Sequence, residues 1–239
     1  MTSRDLAIHE VGYKSEPWRE AIKAEVRDLL RLFKQVCDTQ QIPYFIINGT
    51  LLGAVKFDPP GQIPWDDDSD IGILASDVYR VVSSLRKNLV STPYQLVPAF
   101  YGYLIYGPRR GMLDLIVFDK HPLDGVYRMS YPLAGGKPSF LMSQVRRYEF
   151  TEEELFPLRS YLFEDFVVQG PADGSSVCLR AYGQDVFEVN RRPDKGVGIH
   201  PIWPQITKLL NPASQGCADL LAKYCPRLLQ KLTTLRTKQ

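Results

Sequence analysis

Four carboxylates fall within five positions of the chain, at Asp66, Asp67, Asp68 and Asp70, interrupted only by Ser69. In an extended backbone alternate side chains share a face, so Asp66, Asp68 and Asp70 are expected to project together while Asp67 and Ser69 point the other way. At about 5 Å and an effective dielectric near 20, each such pair repels by roughly 3 kcal/mol, which a folded site offsets with cations or protons. The donors are hard oxygens with no His or Cys nearby, a set that suits Mg²⁺ or Mn²⁺. Two other readings stand beside this one. One is a solvated acidic turn; the other is a calcium loop of the EF-hand type, against which Ile71 stands where such a loop needs glycine.

Two further features share the same stretch of chain. Asn48-Gly49-Thr50-Leu51-Leu52-Gly53 lies between a strand-like run and a short helical one. Bare backbone N–H groups at a helix start, with the Thr50 hydroxyl, offer donors to phosphate oxygens, although a glycine there is as readily a simple turn. The stretch also spells an Asn-x-Thr sequon, and a glycan on Asn48 would block such a cradle, which disfavours a secretory route. Asp114 stands alone inside the apolar run Leu113-Asp114-Leu115-Ile116-Val117. A buried carboxylate needs a cation, a donor or a proton, so Asp114 is a candidate metal ligand or general base, with a hydrogen-bonded structural role as the alternative. Tyr101, Tyr103, Tyr106, Arg109 and Arg110 could line a base or glycan surface, or form a half-buried strand with a basic turn.

The elements that must position these residues follow from periodicity. Ile22, Val26, Leu29, Leu30, Phe33 and Val36 recur at helical spacing from Pro17 to about Gln41. Pro43 ends that helix, and Tyr44-Phe45-Ile46-Ile47 reads as a buried strand, followed by a short helix from Leu51 to Val55. The Pro- and Gly-rich residues 56–65 form a loop, Asp66 to Leu74 a second strand, and Ser76 to Val90 a helix with Ser76 as its N-cap. Tyr101–Tyr106 and Met112–Phe118 read as a hairpin; 132–138 is a loop, and strand-like residues follow near 161–169. Asp173–Tyr182 is a helix closed by Gly183, and Ser214 to about Leu235 is helical. The order predicts a mixed α/β core over 1–190 and a helical C-terminal segment over 191–239.

Composition narrows the class. With 44% hydrophobic and 23% charged residues, and no apolar run long enough to span a bilayer, disorder and an integral helical membrane protein are excluded. The net charge of +2 argues against nucleic acid as a partner. Charge is uneven, however: residues 191–239 carry nine Lys or Arg against Asp194 and Asp219. That basic segment is expected to pack on the core, with peripheral membrane contact through its helix as the alternative. Cys37, Cys178, Cys217 and Cys225 show neither zinc nor disulfide spacing, and the first residues lack an apolar signal core, so a cytoplasmic setting is the default expectation.

The run NGTLLGAVKFDPPGQIPWDDDSDIGI resembles the signature of the LicD family, and LFPLRSYLFEDFVVQGP and CLRAYGQDV resemble its downstream elements. Together these cover about 45–185. The resemblance implies a nucleotidyltransferase-like mixed β-sheet core flanked by helices. It implies an enzyme that moves a phospho-substituted alcohol, such as phosphocholine or an alditol phosphate, from a CDP-linked donor to a glycan or glycolipid hydroxyl, releasing CMP. By position, Asp66, Asp68, Asp70 and Asp114 would hold Mg²⁺ or Mn²⁺, with Asp68, Asp70 and Asp114 catalytic. Gly49, Thr50 and Lys56 would contact phosphate, and Arg109 and Arg110 are added as substrate-binding candidates. Lys56 stands where the family usually has Arg, so a point charge replaces a bidentate fork. An NTP-dependent nucleotidyltransferase releasing pyrophosphate, or a silent nucleotide- or glycan-binding module, remain the alternatives.

Overall fold

A computed structural model describes residues 17–99, 101–130 and 149–189, all within the unit Met1–Arg191. The first helix, α1 (Pro17–Gln40), buries all six of the periodic apolar residues together with Cys37. It closes at Gln41, whose φ of 52° lets Ile42 N–H reach back to Cys37 O at 2.9 Å and Gln41 N–H to Asp38 O at 3.1 Å. This paired closure normally uses glycine; here glutamine takes the left-handed position and aims the chain into the sheet.

The remaining elements are β1 (Tyr44–Ile46), α2 (Asn48–Lys56), β2 (Asp68–Leu74), a single 3₁₀ turn (Ala75–Asp77), α3 (Val78–Leu89), β3 (Gln95–Ala99), β4 (Gly102–Tyr106) and β5 (Met112–Lys120). After these come β6 (Tyr127–Met129), β7 (Glu149–Phe150), α4 (Glu152–Leu155), β8 (Arg159–Phe163), β9 (Phe166–Gly170) and α5 (Gly174–Tyr182). Seven strands form one mixed sheet, β1-β2-β5-β4-β3, with β6 on β5 and β7 on β6; β8 and β9 make a separate hairpin. The parallel pair β2 and β5 is its centre, and every other pairing in it is antiparallel.

Register assigns each side chain to a face. Ser69, Ile71 and Ile73 on β2 lie level with Leu113, Leu115 and Val117 on β5, and helices cover this face. Phe33 of α1 stacks edge-on against Tyr44, the partner of Ile73, and α3 shares a surface hollow with Tyr103 and Val117. Asp68, Asp70 and Gly72 share the opposite face with Asp114, Ile116 and Phe118. That face is divided along its length. Its far end is an aromatic cluster in which Phe45, Phe118 and Phe150 meet at centroid distances of 5.3–5.6 Å. A Cβ on Gly72 would stand 2.2 Å from the Phe45 ring, so glycine is what admits the ring. Its near end holds the carboxylates.

Several sequence expectations change. The second strand begins at Asp68, so Asp66 lies in the turn before it, with Asp66 N–H donating to Ile63 O at 3.1 Å. The cause is Pro64-Trp65, which bends the chain where an alternating pattern reads as strand. Ser76 does not cap α3: its hydroxyl meets the Asp77 carboxylate, and Asp77 occupies the cap position without a side-chain capping bond. Helix α2 starts three residues before the expected Leu51. The three expected tyrosines do not form one surface. Tyr101 is buried, Tyr103 pairs with Leu115 on the helix-covered face, and Tyr106 donates to Gln95 Oε1 at 2.6 Å. The loop expected at 132–138 and the C-terminal helical segment lie outside the described residues. No described helix is long and apolar enough to cross a membrane.

Candidate active site

The site begins at the corner between β1 and α2. Ile47 and Asn48 turn the chain, Asn48 with φ 47°, and Leu51 N–H closes the first helical bond on Ile47 O at 3.0 Å. Helix α2 then runs over the sheet with Thr50, Leu51, Leu52, Gly53 and Ala54 buried. The loop that follows folds back along it: Gly61 N–H donates to Gly53 O at 3.0 Å, and a Cβ on Gly53 would collide with Gly61 O at 2.1 Å. That return brings Asp66 over Gly49, where an added Cβ would stand 2.4 Å from Asp66 Oδ2. Gly49 therefore makes room for a carboxylate.

Asp70 and Asp114 are Cα partners on adjacent parallel strands, and Asp68 lies two residues before Asp70 on the same face. Asp70 N–H donates to Thr50 Oγ1 at 2.8 Å, so that hydroxyl oxygen is spent on the sheet and keeps its proton as the donor it can offer. Burial pushes the Asp66 and Asp70 carboxyls well above the usual range, and the neighbouring carboxylates push them further, Asp68 foremost. For Asp70 the opposing contribution is a hydrogen bond from the Asn48 side chain. Asp114 is 8% exposed; burial and Asp68 raise it to about 7, against a hydrogen bond donated by the Tyr101 hydroxyl. Carboxylate oxygens are the hard donors that Mg²⁺ or Mn²⁺ accepts. Among the described residues, however, no three His, Cys, Asp or Glu side chains close on a common point as the ligands of a bound ion do. The backbone places the carboxylates together; the side chains are not drawn in.

The basic candidates lie further out. Lys56 ends the helix that Asn48 begins, about 12 Å away at 1.5 Å per residue, and its ammonium donates to Val189 O at 2.7 Å. Arg109 and Arg110 are exposed in the β4–β5 turn, next to Met112, the register partner of Asp68, and so at the acidic end of the sheet. Ser69 points to the helix-covered face at 1% exposure, where among the described residues its hydroxyl oxygen meets no hydrogen-bond partner.

Residues 41–173 match the LicD/FKTN/FKRP nucleotidyltransferase domain. This span contains every carboxylate of the site. The chain belongs to the LicD/FKTN/FKRP family. Uncharacterised proteins of Rickettsia typhi and Rickettsia prowazekii are 31% identical over 162 residues and 30% over 167. Each match takes in 64% of this chain, and 46% and 54% of the relative. The chain thus spans about half the length of the curated relatives it matches. Among solved structures, ANT(2″)-Ia with adenylyl-2″-tobramycin shares 13% identity over 60% of this chain and 67% of that one, with a TM-score of 0.38. The lincosamide antibiotic adenylyltransferase LnuA with lincomycin bound shares 14% over 61% and 78%, with a TM-score of 0.39. Likenesses so slight carry no weight beside the family match.

Membership gives this LicD-family domain a nucleotidyl- or phosphotransferase-type role. Three of its residues escaped the sequence reading or were misassigned by it. Tyr101 is placed on Asp114 by a turn that no local pattern announces. Asn48 has a local signal, since asparagine between a strand and a helix favours the left-handed region. Glu25 had one too: it interrupts the apolar face of α1 between Ile22 and Leu29, a position where a charge needs partners. They are Arg109 N–H at 2.9 Å and Gly111 N–H at 2.8 Å, so Glu25 fixes the basic turn from below.

Proposed function

We propose that this domain transfers a phospho-substituted alcohol, phosphocholine or an alditol phosphate, from a CDP-activated donor to a hydroxyl of a glycan or glycolipid, with CMP leaving. The observation that carries this reading is Asp70 standing in register with Asp114, on the face that also bears Asp68 and beside the turn that bears Asp66. Asp66, Asp68 and Asp70 would hold Mg²⁺ or Mn²⁺, which when bound neutralises diphosphate charge. Asp114, raised to about 7, is suited to accept a proton near neutral pH. The acceptor hydroxyl oxygen attacks phosphorus, its proton passes to Asp114, and the bond from phosphorus to the CMP oxygen breaks. Tyr101 orients the Asp114 carboxylate for this step. Arg109 and Arg110, exposed at the acidic end, supply charge toward the phosphates, and Thr50 offers its hydroxyl proton. Lys56 contributes only if it leaves the Val189 carbonyl.

The test is a product assay joined to a melt. With Mg²⁺ or Mn²⁺, CDP-choline or a CDP-alditol at about a hundred times its Kd should raise the melting temperature by roughly 5 to 10 °C and release CMP once an acceptor is present. Pyrophosphate released from a nucleoside triphosphate would move the assignment to nucleotidyl transfer. No shift with any cytidine nucleotide would leave a binding module.

A further inference from the structure

Asp66 stands in a turn, so no strand pairing fixes it, and its place depends on what holds the loop before it. That loop is gripped by the tip of the β8–β9 hairpin, which lies outside the main sheet. Glu164 N–H donates to Pro60 O at 2.9 Å, and the Glu164 carboxylate accepts from Gln62 N–H at 3.1 Å. Between them Gly61 N–H donates to Gly53 O at 3.0 Å, so Pro60, Gly61 and Gln62 are bound alternately to the hairpin and to α2. Gln62, which is 5% exposed, carries the grip forward. Its side-chain amide donates to Asp66 O at 3.2 Å, closing the turn in which Asp66 N–H meets Ile63 O.

The residue at the hairpin tip makes this grip informative. Phe163 and Phe166 pair across a two-residue loop, and Glu164 at its first position has φ 56°. Glycine occupies such a position without strain, and a hairpin that only had to reverse direction would be best served by it. Glutamate accepts the strain, and what it adds is a charged acceptor for the Gln62 N–H, with the Arg27 guanidinium of α1 3.8 Å from its other oxygen. At the far end of the loop the tolerance is small, because the Asp66 carboxylate sits where only glycine at position 49 leaves room for it.

We propose that Glu164 is a positioning residue of this site: acting through Gln62, it fixes the turn that holds Asp66 beside Asp68 and Asp70. This rests on the transferase reading of the site, and it gives the β8–β9 hairpin a part in a centre whose carboxylates all lie on other elements.

Glu164→Gly tests it, because glycine suits the turn and removes the carboxylate. The melting temperature should stay close to that of the native chain, since relieved strain offsets the lost bond. In the metal-free protein, amide hydrogen exchange should be roughly tenfold faster at Gln62 and Asp66 and unchanged in β5. The affinity for Mn²⁺, measured by calorimetry without nucleotide, should fall roughly tenfold, as should kcat with the CDP-linked donor, with its KM little changed. Glu164→Gln keeps an acceptor oxygen toward Gln62 and should restore native values of all of these. Gln62→Met keeps the side-chain length and removes the amide; it should reproduce the losses at Asp66 and in kcat, and adding it to Glu164→Gly should change little more. Native exchange at Asp66, or native kcat, in a folded Glu164→Gly protein would overturn the proposal. Should that variant not fold, Glu164→Asn, which tolerates the left-handed turn but is too short to reach Gln62, takes its place with the same readings. If the native chain neither binds Mn²⁺ nor turns over any cytidine donor, the transferase reading fails instead, and amide exchange by itself then decides whether Glu164 holds Asp66.

Discussion

Glu25 and the Asp70–Asp114 pair are both buried carboxylates, and their surroundings differ in kind. Glu25 is 2% exposed on α1, is held by the N–H groups of Arg109 and Gly111, and fills the space that side chains on Gly107 or Gly111 would need. One charge there meets two backbone donors. Asp70 and Asp114 share a face with Asp68, and the Tyr101 hydroxyl donates to the Asp114 carboxylate. Burial by itself therefore does not mark a functional carboxylate. The mark is burial with more negative charge than the protein's own donors can settle, which leaves a place for a cation or a proton.

The comparison breaks first on turnover. Asp70→Ala should lower kcat by roughly a thousandfold or more, corresponding to the several kcal/mol that charge stabilisation at such a site supplies. Its metal-free melting temperature should equal or exceed the native one, because a repelling charge is gone. Robust turnover by the folded variant would remove Asp70 from the chemistry.

Glu25→Ala should do the reverse. Two N–H groups lose their acceptor beneath the β4–β5 turn, a loss of about 2 to 4 kcal/mol, or roughly 5 to 10 °C in a domain of this size. Turnover per folded molecule at low temperature should suffer far less than in Asp70→Ala. Urea melts run beside kinetics would show whether the two variants separate this way, and a stable but inactive Glu25→Ala would place Glu25 in the functional machinery.

The third effect is on the pH dependence of stability. Asp114 has an ordinary value of 3.8 and is raised to about 7 in the folded chain. Between about pH 4 and 7 the folded state therefore holds a proton that the unfolded state has released, so rising pH favours unfolding across that window. In EDTA the melting temperature should fall from pH 5 to 7. Mg²⁺ or Mn²⁺ should flatten the slope by binding the ionised form, and Asp114→Asn should flatten it in part, because Asp66 and Asp70 are raised in the same direction. A slope that persists unchanged in Asp114→Asn would assign it to other groups.

How much of this was legible depended on whether a residue's role is set by its neighbours in sequence. The six apolar positions of α1 were read directly, since a 3.6-residue period admits one buried face. Helix α5 was read from Asp173 and Gly183, and the Asp173 carboxylate does accept from Ser176 N–H at 3.0 Å. Strands β3, β6 and β7 were missed: Gln95–Ala99 contains Pro98, and the other two are three and two residues long, so none repeats long enough to show alternation. Helix α4 was missed although Thr151 and Glu154 form a reciprocal capping box at its start, because four residues show no period. Asp66 reads as part of the strand because it keeps the two-residue spacing of Asp68 and Asp70, a spacing that a turn can carry as readily as a strand.

The sequence by itself determined that carboxylates would gather, since Asp68 and Asp70 are two apart on a strand and Asp114 lies in an apolar run that must be buried. Tertiary structure decided what surrounds them. Parallel pairing set Asp70 level with Asp114, the fold-back of the loop onto Gly53 delivered Asp66 to Gly49, and the turn at Tyr101 set its hydroxyl on Asp114. The physical reason is range. Alternation and helical period act over a few residues and are written locally, whereas register, close backbone approach and a hydrogen bond between Tyr101 and Asp114 exist only once distant segments are packed.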